Sequence, residues 1–145
     1  MNTQSNSSAR QSIAAVRLRR HSDFQLAYAA ARKRQSASMS WFLAPQTAEY
    51  EQQPAGPRVG LTAGKVLGKA HERNRIKRRM REVLRRHVDL IPAGFDLILH
   101  PRRTVLTMEF AKLEAEVVRI LEQATAEAAR ARAYGNSAPA AKQSS

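Results

Sequence analysis

The sequence predicts an α+β domain, a two-layer sandwich in which helices cover one face of a small sheet. Three short stretches rich in apolar residues are typical of strands, at residues 39–44, 58–63 and 95–100. Other apolar residues recur at helical spacing before, between and after those stretches. Because a strand, a helix and a strand follow one another in the middle of the chain, we expect a parallel strand pair joined by that helix.

The first helix is expected to begin at Ser22, where Gln25 completes a capping box and Asp23 suits the positive end of the helix dipole. The helix should end between residues 33 and 36. Its apolar positions fall three and four residues apart, at Phe24, Ala27, Tyr28 and Ala31.

After the first helix the sequence predicts three strands, one central helix and the segments that join them. Three prolines mark the loop between the first two strands, and Pro92 and Gly94 stop the central helix. The expected bounds are strand 39–44, loop 45–57, strand 58–63, turn 64–69, helix 72–87 and strand 95–100.

A last helix is expected after Thr107, which can cap it, and residues 124–133 could extend it as a frayed, exposed segment. We expect disordered tails at residues 1–14 and 135–145, so that the folded domain covers residues 15–123 and the rest forms a helix extension and tail. The apolar stripe of the last helix comprises Phe110, Leu113, Val117, Ile120, Leu121 and Ala124.

The composition indicates a nucleic-acid partner. Lys and Arg total 25 against 12 acidic residues, a formal net charge of +13, and a polyanion relieves the self-repulsion of such a domain. No apolar stretch approaches the length of a membrane span, and the polar N-terminus lacks the apolar region of a secretory signal. The absence of cysteine excludes disulfides, thiol catalysis and cysteine-ligated metals. These features predict a cytoplasmic protein without a membrane partner.

The central helix concentrates this charge. Eight of the fourteen residues from Arg73 to Arg86 are Lys or Arg, seven of them Arg, and Glu82 is the one acid among them. Helical geometry places Ile76, Met80, Val83, Leu84 and His87 on one side, which should dock on the sheet. The opposite side carries Asn74, Arg78, Arg81 and Arg85, flanked by Arg75, Lys77, Arg79 and Arg86.

This basic side favours phosphate binding over a solvated face, because a solvated helix usually intersperses Glu for pairing. Arginine forms bidentate contacts with phosphates, and helices that read DNA bases usually mix in Asn, Gln and Ser. The pattern therefore favours recognition of structured RNA by its backbone and shape. A ribosomal protein or assembly factor shares these features, and a DNA-binding regulator is a more distant alternative.

The sequence indicates no catalytic or metal site of its own. The four histidines lack metal-ligand spacing, the acids are dispersed, and Ala63 stands where a phosphate-binding loop would need its first glycine. We expect His87 to pack on the apolar side of the central helix and His100 to have no catalytic role. No small-molecule substrate is expected.

The run R-V-G-L-T-A-G-K-V-L-G-K-A-H-E-R-N-R-I-K-R-R-M-R-E, from Arg58 to Glu82, resembles the protein subunit of bacterial ribonuclease P. The segment H-S-D-F-Q-L-A-Y resembles the first helix of that family, and F-D-L-I-L-H-P-R resembles its last strand. The resemblance covers residues 16–123. It implies a binding protein that assists a catalytic RNA, with magnesium ions held mainly by the RNA, in removing the 5′ leader from precursor tRNA.

The resemblance also implies two surfaces and a left-handed strand–helix–strand crossover, against the usual right-handed rule. The first surface would bind the catalytic RNA through Arg73, Asn74, Arg75, Lys77, Arg78, Arg81 and Arg85. The second, a cleft between the first helix and the sheet, would bind the precursor tRNA leader through Phe24, Tyr28, Lys65, Trp41 and Phe42.

Alternation along a strand sends Trp41 and Phe42 to opposite faces, so we expect one to line the cleft and the other to join the core. The sequence leaves open which does which. It departs from the family's pattern at Gly64, where serine is common, and at Val66, where a second lysine is common.

Overall fold

The computed structural model of the protein describes residues 21–46 and 56–144. The expected N-terminal tail and most of the proline-containing loop lie outside the described residues, as does the side chain of the proposed cap Ser22. The helices are α1 (His21–Ala30), α2 (Ala70–Arg86) and α3 (Phe110–Ser144). The strands are β1 (Arg32–Gln35), β2 (Met39–Pro45), β3 (Arg58–Leu61) and β4 (Phe95–Pro101).

The four strands form one mixed sheet in the order β1-β2-β4-β3. β1 and β4 both run antiparallel to β2, whereas β3 runs parallel to β4. The connection from β3 to β4 passes through α2, which confirms the predicted parallel pair joined by the basic helix. The α+β fold class is therefore confirmed, while the hand of this crossover stays a prediction.

The main core lies between one face of the sheet and the helices α2 and α3. Alternate residues of β2 and β4 point into it, among them Trp41, Leu97 and Leu99. Burial of each such side chain stabilises the fold by about 1.5–3 kcal/mol. The predicted stripe of α3 packs here as expected, with five residues fully or nearly fully buried and Phe110 half-buried: Leu113, Val117, Ile120, Leu121 and Ala124.

The second face of the sheet carries α1. Ala27 of α1 packs on Ala44 of β2 and Ile98 of β4, and half-buried aromatic residues surround this small cluster. The expectation that the helices cover one face of the sheet is therefore wrong for α1, which packs on the second face and covers part of it.

Strand β1 was not predicted. The first helix ends at Ala30 instead of between residues 33 and 36, because Arg32–Gln35 pairs with β2. An edge strand needs no apolar alternation, and charged residues protect such an edge from pairing with other chains. Arg102 ties the following turn to β4 by donating to the carbonyls of Ser36 (2.9 Å) and Ala37 (3.2 Å).

Smaller differences concern the ends of the elements. β3 ends at Leu61, and a short 3-10 helix, Lys65–Leu67, occupies the predicted turn. α2 begins two residues early because Glu72 accepts the backbone N–H of Lys69 at 2.9 Å and so caps an earlier turn. α3 begins at Phe110, and the carbonyl of Glu109 accepts its first hydrogen bond, so the expected cap at Thr107 is wrong.

The extension of α3 is packed, where the sequence predicts a frayed and exposed segment. Ala128 is fully buried, and Glu127 pairs with Arg34 of β1. The guanidinium of Arg132 donates to the carbonyl of Ala93 and lies 5.6 Å from the centre of the Phe95 ring. The helical backbone continues to Ser144, where the sequence predicts a disordered tail.

Ala128→Asp should therefore destabilise the protein by at least about 1 kcal/mol more than Ala129→Asp, because it places an unpaired carboxylate in a buried position. Ala129 is the exposed neighbour on the same helix and serves as the matched control. Urea unfolding followed by circular dichroism measures both variants, and equal losses would show that the extension does not pack on the domain.

Candidate nucleic-acid interface

The apolar side of α2 fixes the direction of its basic side. Ile76, Met80, Val83 and Leu84 are completely buried against the sheet and α3, as the periodicity predicts. The helix therefore has no freedom to turn about its axis. The opposite side points to solvent, where Asn74, Arg75, Arg78 and Arg85 are exposed and Lys77 and Arg81 are half-exposed.

The C-terminal half of α2 is neutralised within the protein. Glu82 accepts from Arg85 at 2.6 Å and from Arg86 at 3.1 Å. The hydrogen bond from Arg85, with a smaller one from Arg86, lowers the pKa of Glu82. Glu114 of α3 lies 2.7 Å from His87, whose hydrogen bond is the main reason that the pKa of Glu114 is lowered.

Two flanking arginines of α2 are engaged with α3. The guanidinium of Arg86 lies 4.9 Å and that of Arg79 5.9 Å from the centre of the Phe110 ring. Arg79 also donates to the carbonyl of Met108. These contacts join α2 to the start of α3, so both arginines have a structural role that the sequence pattern did not reveal.

The N-terminal half of α2 lacks such compensation. Within the described ranges, the four cations Arg75, Lys77, Arg78 and Arg81 form no ion pair or hydrogen bond through their side chains. We call these four residues, with Asn74, the arginine face. Like charges within two turns of one helix repel one another, and a row of phosphates relieves that repulsion.

The start of α2 is anchored to the turn that precedes it. Glu72 accepts from Arg103 at 2.8 Å, and Arg103 also donates to the carbonyl of Leu67 at 2.7 Å. Arg73 donates to the carbonyl of Gly68 at 3.2 Å, and Gly68 has a φ of 130°, which favours glycine. These contacts fix the arginine face relative to the turn that carries the exposed Lys65.

A second candidate surface lies on the opposite face of the sheet, beside α1. The rings of Phe24 and Tyr28 have centres 6.3 Å apart, and Tyr28 meets Phe42 edge to face at 5.0 Å. His100 of β4 completes the group, 5.6 Å from Tyr28 and 5.1 Å from Phe42. All four side chains are half-buried, and we call them the aromatic group.

The structure decides between the two aromatic residues of β2. Trp41 is only 1% exposed and belongs to the main core, so its place among the leader contacts was wrong. Phe42 points to the α1 side, because successive side chains of a strand alternate. Lys65 lies on the turn after β3, and among the described residues no hydrogen bond or cation–ring contact joins it to the aromatic group.

Sequence reasoning missed His100 as a member of this group. The same alternation places His100 on the face of Ile98, two residues earlier, so its position could have been predicted once α1 was known to cover that face.

In the part of the chain that the structure describes, no three His, Asp or Glu side chains are arranged to hold a metal ion. No described helix is long and apolar enough to cross a membrane.

The sequence profile of the family described as Ribonuclease P matches residues 14–125. The ribonuclease P protein component of Thermobifida fusca is 32% identical over 111 residues, which cover 75% of this chain and 76% of that protein. The chain belongs to the ribonuclease P protein family. Its membership associates it with RNA binding and tRNA processing, as part of an endoribonuclease complex.

Other ribonuclease P proteins support the assignment in sequence and in structure. The component of Chloroflexus aggregans is 35% identical over 111 residues, 76% of this chain and 78% of that protein. The solved ribonuclease P protein of Thermotoga maritima superposes with a TM-score of 0.63 at 26% identity, covering 74% of this chain and 96% of that one. The extension of α3 beyond residue 125 lies outside the family match.

The ion pair between Glu72 and Arg103 should make the stability of the fold depend on pH. Its contacts with Arg103 and the Lys69 N–H lower the pKa of Glu72 from 4.5 to about 2. A carboxyl whose pKa is lower in the folded state than in the unfolded state stabilises the fold at pH values above the unfolded-state pKa. This contribution is lost as the pH falls toward the folded-state pKa. The wild type should therefore exceed Glu72→Gln in stability at pH 6, and the difference should shrink between pH 4.5 and 2. A difference that is constant over that range in urea unfolding would contradict the pairing.

Proposed function

We propose that the chain is the protein subunit of ribonuclease P, which assists a catalytic RNA in removing the 5′ leader from precursor tRNA. The observation that carries the proposal is the arginine face, whose cations have no ion-pair partner among the described residues, on a helix whose other side is buried in the core. Acids pair with the arginines near the C-terminal end of α2 and leave this face available for a polyanion.

The arginine face would contact the catalytic RNA. Arginine forks match phosphate oxygens in pairs, and a rigid helix holds several forks at fixed spacing. Structured RNA is recognised mainly through its backbone and shape, which suits a surface with one amide, Asn74, among its cations. Arg73 and Arg85 would add to this surface from its two ends, although each also has a partner within the protein.

The groove beside α1 would hold the single-stranded leader. Stacking on aromatic side chains accepts any base, as a subunit that processes many precursors requires. Phe24, Tyr28 and Phe42 supply the rings, and Lys65 would meet the leader backbone at the edge of the sheet. Mature tRNA lacks a leader, so this groove would distinguish substrate from product.

The chemistry would belong to the RNA, with magnesium ions that the RNA mainly holds. The protein would raise the affinity for substrate by bringing cations to crowded phosphates, and it would raise the affinity for magnesium by holding the substrate against the RNA. Reconstitution tests this division of labour. The purified protein, added to the ribonuclease P RNA of the same organism and precursor tRNA at low magnesium, should enhance cleavage. Absence of enhancement would refute the proposal, and co-sedimentation with ribosomal subunits would instead favour a ribosomal role.

Arg78→Ala should weaken binding to the catalytic RNA and reduce the salt slope of log K by about one, since one phosphate contact is lost. Arg86→Ala is the matched control, because it removes the same charge from the same helix. Arg86 already pairs with Glu82 and Glu114 and lies over the Phe110 ring. Filter binding over a salt series measures both slopes, and equal changes would argue that the face is not specific.

Phe24→Ala and Tyr28→Ala should weaken binding of precursor tRNA to the holoenzyme more than binding of mature tRNA. Loss of one stacked base costs about 1–3 kcal/mol, which corresponds to about 5- to 150-fold in affinity. Equilibrium binding of both tRNAs gives the ratio directly. If both affinities fall by the same factor, the rings serve the fold and not the leader.

A further inference from the structure

His100 occupies an unusual place for a polar side chain. It lies one residue before the end of β4, opposite Ser40 of β2, on the sheet face that α1 partly covers. Its ring is half-buried between the rings of Tyr28 and Phe42. No role for it follows from the arginine face or from the stacking of bases on the other rings.

The polar contact of His100 is directed at one group. Its Nε2 lies 2.6 Å from the hydroxyl of Tyr28, across 72 residues of sequence. The two rings meet edge to face at 77°. A phenol ring held at its hydroxyl end, and contacted by Phe42 at 80°, has little freedom to rotate or tilt.

The protonation states suit a neutral hydrogen bond. Burial, helped by the nearby charge of Lys33, lowers the pKa of His100, so its imidazole is uncharged at neutral pH. Burial also raises the pKa of Tyr28, against a smaller lowering by the Thr62 side chain, so the phenol keeps its proton. No charge is therefore buried to form the contact, and one imidazole nitrogen is available as an acceptor.

We propose that His100 is a positioning residue for leader binding, which fixes the Tyr28 ring at the angle that a leader base requires. The inference rests on the proposed leader groove and assigns it a residue beyond the stacking rings. A preorganised ring loses less freedom when a base stacks on it, so the effect appears in affinity for the leader and not in affinity for the tRNA body.

The test measures the affinity of the reconstituted holoenzyme for precursor tRNA relative to mature tRNA. His100→Leu keeps an apolar side chain against Phe42 and removes the hydrogen bond, while Tyr28→Phe removes the hydroxyl and keeps the ring. His100→Leu should lower the ratio about fivefold, the worth of one neutral hydrogen bond. Tyr28→Phe also removes the hydrogen bond between the hydroxyl and the Thr62 side chain, so it should lower the ratio at least as much. The double variant should lose no more than Tyr28→Phe alone, because the bond that His100→Leu removes is already absent.

Two further variants make the result specific. His100→Gln can place an amide near the Tyr28 hydroxyl and should restore the ratio to within about twofold of the wild type. His87→Gln, which alters a half-buried histidine paired with Glu114 on α3, should leave the ratio unchanged. If His100→Leu does not fold, Tyr28→Phe still tests the bond.

Distinct outcomes overturn the inference. Additive losses in the double variant, with no rescue by glutamine, would mean that His100 contacts the RNA itself. An unchanged ratio in His100→Leu and Tyr28→Phe, with a lowered ratio in Tyr28→Ala, would refute the positioning role and leave the leader groove standing. An unchanged ratio in all three would refute the groove as well.

Discussion

The burial of one side of α2 is the constraint on which the rest of the structure depends. Ile76, Met80, Val83 and Leu84 reach the core completely, and each adds about 1.5–3 kcal/mol by leaving water. Because a helix of 17 residues rotates as one body, these four contacts also determine where every arginine points. The same packing that stabilises the domain therefore presents the arginine face.

The distribution of acids on α2 and its neighbours refines the meaning of the net charge. A charge of +13 indicates a polyanion partner without saying where it binds. In the structure, Glu82 and Glu114 form ion pairs with the arginines near the C-terminal end of α2. Glu72 anchors the start of the helix through its ion pair with Arg103. Repulsion is left concentrated between residues 74 and 81, where a phosphate backbone would relieve most of it.

Much of the fold followed from the sequence because the strongest patterns came from the core. The stripes of α2 and α3 and the parallel pair β3–β4 were predicted from periodicity and order alone. β1 was not predicted because R-K-R-Q has no apolar alternation. Its strand conformation depends on pairing with β2 in the folded protein. The packing of the α3 extension was not predicted, because alanines give only a weak apolar stripe. Its contacts, Glu127 with Arg34 and Arg132 with Phe95, join residues that are distant in sequence.

The parts of the candidate site also differ in how far the sequence could predict them. The arginine face was predictable, since helical spacing separates it from the apolar side. The leader groove was predictable only in part: alternation could separate Trp41 from Phe42 but could not say which face α1 covers. His100 joined the group only once three elements distant in sequence were brought together.

The most direct test of the account asks which face of the protein meets the catalytic RNA. The chain has no cysteine, so a single introduced thiol can carry a photo-crosslinker at one chosen position. Asn74→Cys lies on the arginine face, and Ala115→Cys is a control at an exposed position on α3. Crosslinks to the ribonuclease P RNA are expected from position 74 and none from position 115. Crosslinks from position 115 alone would show that the RNA does not meet the arginine face.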